Sequence, residues 1–156
     1  MMPFNPELDL ELTRLFKAPP ASVWRCWEDP ALLGQWWAPK PVQTVDVVID
    51  LRNGGRFYSR MILPDGTEMP GEGCFLDVVP GHRIVFTDLM GEGFRPVETS
   101  FGFAAIITMV PEGTGTRYTA RALHKTAEQS KAHADMGFHD GWGTAAAQLD
   151  ALASGL

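Results

Sequence analysis

Cysteine is nearly absent from this chain of 156 residues, where only Cys26 and Cys74 occur. They lie far apart and match no metal or redox spacing, so both are expected as buried free thiols, packing like small hydrophobes. Positive charge is also scarce. Thirteen Lys and Arg face nineteen Asp and Glu, a formal net charge of −6. Nucleic-acid binders usually carry a basic face, so no nucleic-acid partner is expected. Long apolar runs are missing, and no stretch approaches the roughly 20 residues of a membrane span. Met1-Met2-Pro3-Phe4-Asn5 lacks the basic head and apolar run of a signal peptide. The expectation is a soluble, cytoplasmic protein with no membrane insertion. Catalytic signatures are missing too. There is no H-E-x-x-H, no other zinc spacing, no G-x-S-x-G elbow and no P-loop. Gly71-Glu72-Gly73 and Gly91-Glu92-Gly93 lack the third glycine of a dinucleotide fingerprint. Neither a metal site nor a cofactor is expected.

What is abundant is tryptophan at both ends and strand-like sequence between. All five tryptophans lie in two stretches, Trp24 to Trp37 and Met136 to Trp142. Residues 7–13 alternate charged or polar with leucine, the period of a half-buried strand. The alternation weakens at Arg14-Leu15-Phe16, as a strand covered on both faces or a bulge would make it. Pro20 can open a first short helix, and Asp29-Pro30 reads as an N-cap and first helical residue of a second, ending near Trp36. Strands are expected over residues 42–51, 55–63, 67–79, 83–89, 98–110 and 117–123, with Asp65-Gly66 as a hairpin signal and 90–96 as a glycine-rich loop. From about Glu128 the rhythm becomes helical, with Phe138, Trp142, Ala145, Leu149 and Leu152 on one stripe. Glycines 137, 141 and 143 each cost about 0.5–1 kcal/mol inside a helix, which suggests close packing, a bend or room left for something. No linker divides the chain, so residues 1–156 are expected as one α+β domain. A long C-terminal helix would cover one face of a curved antiparallel sheet, leaving an apolar hollow between them.

One ordered set of residues resembles a known family. Pro20, Val23-Trp24, Asp29-Pro30, Leu33, Trp36-Trp37 and Pro39 come first. Gly54-Gly55-Arg56-Phe57, Met61, Asp65-Gly66, Gly73, Pro80 and Arg83 to Thr87 follow. Thr116, Met136-Gly137-Phe138, Gly141-Trp142, Leu149 and Leu152 complete the set. It is similar to the START-like, helix-grip (SRPBCC) superfamily. Within that superfamily it resembles bacterial single-domain relatives of the C-terminal domain of the heat-shock-protein-90 ATPase activator. The resemblance implies a helix-grip fold, with about six to seven antiparallel strands around a long C-terminal helix and two short helices after strand 1. It leaves function open, because one fold hosts many jobs.

Pockets are usually walled by apolar and aromatic side chains with a few polar groups. The candidate wall is Trp36, Phe57, Met61, Phe75, Phe86, Phe101, Phe103, Phe138 and Trp142, with His139 as the most interesting polar residue. Glu72, Asp77 and Asp88 are candidate inward carboxylates, and Arg52, Arg56 and Arg60 candidate holders of a ligand carboxylate. The leading expectation is a binding protein for a hydrophobic or aromatic small molecule. A co-chaperone-like module with a chaperone or other protein partner is the second reading. A cavity enzyme of cyclase, hydrolase or dehydratase type using His139 is the third. Either a monomer or a homodimer fits the sequence.

Overall fold

The computed structural model describes residues 3–99 and 101–156. It is an α+β helix-grip fold. Strand β1 (Asp9–Phe16) leads into helices α1 (Pro20–Glu28) and α2 (Pro30–Leu33). Strands β2 (Gln43–Ile49), β3 (Arg56–Ile62), β4 (Glu68–Val79) and β5 (Arg83–Thr87) follow. A small hairpin of β6 (Met90–Gly91) and β7 (Arg95–Pro96) precedes β8 (Ala104–Glu112) and β9 (Gly115–Leu123), and helices α3 (Ala127–Asp135) and α4 (Phe138–Ser154) end the fold. The main sheet is antiparallel, with seven strands in the order β1-β9-β8-β5-β4-β3-β2. α4 packs against α1 and β1.

Local chemistry sets these boundaries. The Asp29 carboxylate accepts from the Ala31 N–H at 2.9 Å and Pro30 opens α2. This satisfies one of the donors a helix start leaves bare. Bulges interrupt the ladder between Val45 and Val48 of β2 and between Phe75 and Asp77 of β4. Such insertions bend a strand and add local twist. Gly115 permits another close approach. A Cβ there would lie 2.0 Å from the Phe16 carbonyl oxygen. Gly115→Ala should therefore cost about 2 kcal/mol through forced backbone shift, read as a lower urea midpoint.

Several expectations are corrected. β1 continues in unbroken register from Asp9 to Phe16, and Leu15 is simply exposed. Residues 90–96 form the β6–β7 hairpin with a single 3-10 turn instead of an irregular loop. The strand expected from residue 98 begins only at Ala104. α2 ends at Leu33, short of Trp36. The helical segment from about Glu128 is two helices, because Gly137 takes φ 95° and turns the chain between them. That conformation suits glycine. Cys26 and Cys74 are both buried and free, and burial pushes the Cys26 thiol up to about 11. No helix among the described residues is long and apolar enough to cross a membrane.

Candidate functional site: an apolar cavity between sheet and helix

α1 buries Val23, Cys26 and Trp27 on one face, the i, i+3, i+4 spacing of an inward helical stripe. Trp27 is 1% exposed and meets Trp36, Trp37, Phe57 and Phe86 at ring-centroid distances of 5.1, 5.6, 6.3 and 6.0 Å. The Trp36 indole N–H donates to the Cys26 carbonyl at 2.9 Å, which fixes the segment after α2 against α1. Gln148 of α4 fixes it from the other side. Its amide donates to the carbonyls of Trp36 and Ala38, and its side-chain oxygen accepts from the Lys40 N–H. Asp150, one half-turn on, accepts from the N–H groups of Lys17 and Ala18. Polar groups of α4 thus hold both chain segments that flank α1.

These restraints leave space beneath them. A cavity of about 260 Å³ lies between α1, the Trp36–Pro39 segment, the sheet and α4. Its walls include Trp27, Trp36, Trp37, Met61, Phe86, Phe103, Tyr118 and Trp142, and none of the described residues lining it carries charge. A second hollow of about 180 Å³ shares Trp37, Met61, Phe86 and Phe103 with it and adds Phe57, Ser59, Thr87 and Asp88. Gly141 also lines the main cavity, and a Cβ there would meet no atom within 4 Å. Its cost in helix propensity coincides with open space.

One wall is polar. Tyr118 is 3% exposed and its ring stacks on Phe16 at 4.6 Å. Burial pushes its hydroxyl well above the ordinary phenol range, opposed weakly by the nearby Trp27 indole N–H. The approach of the two groups falls short of hydrogen-bond geometry, and the indole N–H is buried with no partner among the described residues.

The expected wall residues divide. Trp36, Met61, Phe86 and Trp142 line the main cavity, as does Phe103. Phe57 joins Met61 and Phe86 around the second hollow. Phe75 is fully buried behind Phe57, stacked on it at 4.8 Å. Phe138 is buried at the start of α4, and Phe101 packs on His133 at 5.2 Å. His139 is exposed and touches the edge of the Phe138 ring. Phe75, Phe101, Phe138 and His139 are thus absent from both linings. The arginines sit in surface ion pairs, Arg52 with Asp50, Arg56 with Glu72, and Arg60 with Asp46 and Glu68. Asp77 pairs with Arg83. Glu72 reaches the rim of the second hollow, and Asp88 accepts from the Phe103 N–H at 2.9 Å.

Trp27, Trp37, Tyr118 and a buried histidine pair are the additions that sequence reasoning did not single out. His124 Nδ1 lies 2.8 Å from the Leu8 carbonyl oxygen, and His124 Nε2 lies 2.8 Å from His133 Nδ1. A carbonyl only accepts, so His124 Nδ1 carries the proton. In the neutral ring Nε2 then accepts from His133 Nδ1–H. Burial, with a smaller contribution from His124, lowers His133 to about 4. The pair stands behind Phe103 and Trp142 of the cavity wall. Among the described residues no three His, Cys, Asp or Glu side chains gather to hold a metal.

Residues 17–154 match the family model described as Activator of Hsp90 ATPase homolog 1-like protein. The chain belongs to this family. As a member of the Activator of Hsp90 ATPase homolog 1-like family, it is similar to a Nitrosomonas europaea protein of known crystal structure. The two share 43% identity over 96% of each chain, with a TM-score of 0.92. A Mycobacterium smegmatis protein is 32% identical over 94% of this chain and 90% of its own, with a TM-score of 0.79. A protein from Arthrobacter aurescens, solved by NMR, is 28% identical over 96% of this chain and 88% of its own, with a TM-score of 0.82. No curated protein matches the chain.

Proposed function

We propose that this family member binds a small hydrophobic or aromatic molecule in the cavity between the sheet and α4. The observation that carries this is the cavity of about 260 Å³ walled by four of the five tryptophans with Phe86, Phe103 and Met61. Filling such space with side chains would stabilise the fold. The chain instead keeps Gly141 where a side chain would enter it. His139 is exposed and lies outside both linings, which counts against the reading of a cavity enzyme working through it. The co-chaperone-like reading rests on family membership and on exposed Leu89, Phe94 and Val97 around the β6–β7 hairpin.

Naphthalene is a suitable neutral probe, monitored by amide and indole N–H shifts of ¹⁵N-labelled protein. Saturable shifts should centre on Trp27, Trp36, Trp37 and Trp142. Gly141→Leu should stabilise the helix by about 0.5–1 kcal/mol and weaken naphthalene binding by occupying the cavity. Uniformly unchanged spectra from a folded protein would remove the small-molecule reading and leave a protein partner as its replacement.

A further inference from the structure

We infer that the ligand is an uncharged ring compound bearing a carbonyl-type oxygen, held at that oxygen by the Tyr118 hydroxyl. This rests on the binding reading above and names the chemistry of its occupant. Tyr118 is 3% exposed and lines the cavity, and its hydroxyl donates to none of the described residues, whereas buried polar groups are nearly always hydrogen-bonded. The Trp27 indole N–H lies near the Tyr118 oxygen in a position closed to the cavity, so the hydroxyl proton is the donor left for a guest. A phenol hydroxyl both accepts and donates, so Tyr118 can offer its proton to a carbonyl oxygen while its own oxygen faces the indole. An entirely apolar guest would leave the Tyr118 hydroxyl proton without an acceptor, which loses affinity. Tyr118 is held in its neutral, donating form at physiological pH.

The acceptor must be uncharged for a separate reason. No Lys, Arg or His lines either hollow, while Asp88 and Glu72 border the second one. A buried carboxylate without a cationic partner is strongly disfavoured, and the acidic rim adds repulsion. Size narrows the class further. The main cavity is smaller than the roughly 300–1,000 Å³ usual for drug-sized ligands, which suits a compact fused-ring ketone or aldehyde.

Three isosteric probes test this at pH 7.5: naphthalene, 2-acetylnaphthalene and 2-naphthoate. The ketone should bind more tightly than either of the others, and its carbonyl ¹³C resonance should move downfield on binding. Tyr118→Phe keeps the ring that stacks on Phe16 and removes only the hydroxyl. It should weaken ketone binding about fivefold to tenfold and leave naphthalene unchanged. Equal binding of naphthalene and ketone, insensitive to Tyr118→Phe, overturns the acceptor inference while the hydrophobic pocket stands. Preference for 2-naphthoate overturns it as well. Absence of binding by all three overturns this inference and the binding reading together.

Discussion

Trp27→Ala should lower stability by about 3–5 kcal/mol, read from urea midpoints at an unchanged m-value. The indole is 1% exposed and joins α1 to the sheet through contacts with Phe57 and Phe86. It also orders the other two indoles of that end, since Trp36 and Trp37 pack on its faces and edges. Removing it would merge its volume with the existing cavity. The walls then lose dispersion contacts on two sides, and collapse is restrained because Gln148 and Cys26 hold the Trp36 segment in place. Trp142 offers the useful contrast. It is only half-buried and already borders open space, so its truncation should cost less than that of Trp27. A loss below about 1 kcal/mol for Trp27→Ala would show that the α1 face repacks freely, and the cavity would then lack a fixed wall.

The legible part of this molecule was periodic. The α4 stripe gave Phe138, Leu149 and Trp142 their inward side, and Asp29-Pro30 marked a helix start that the side chain of Asp29 does cap. The alternation of Tyr118, Ala120 and Ala122 against Arg117 and Thr119 carried the signal for two cavity residues, because β9 runs without a bulge. Trp27 follows Val23 by four residues, a helical spacing that was present to be read. Other features depend on contacts far apart in sequence. Phe75 pairs with Phe86 across the sheet and stacks on Phe57, yet it lies outside both hollows. His139 follows Phe138 by one residue, so it turns about 100° away from a buried neighbour. The His124–His133 contact needs a strand end and a separate helix to meet, and no local spacing announces it. Whether apolar walls enclose space or fill it depends on packing that a one-dimensional pattern does not carry.

That histidine pair should make the fold acid-sensitive in a defined window. His133 is 8% exposed and ringed by Phe101, Phe103, Phe138 and Trp142, with His124 as its hydrogen-bond partner. Its folded-state value of about 4 lies below the ordinary 6.5. Between those values the unfolded chain binds more protons than the native one, so stability falls as pH falls. The full contribution of neutral His133 is present above about pH 6.5 and is lost progressively toward pH 4, by up to about 3 kcal/mol. His133→Asn preserves an N–H donor for His124 but removes the titration. The variant should be less stable than the wild type at pH 7.5, through lost packing. The difference should shrink steadily as pH is lowered to 4.5, because carboxylate effects common to both proteins cancel. Urea unfolding at four pH values reads this directly. Parallel stability curves would mean that His133 takes up its proton without resistance, and that the aromatic cage opens readily to water.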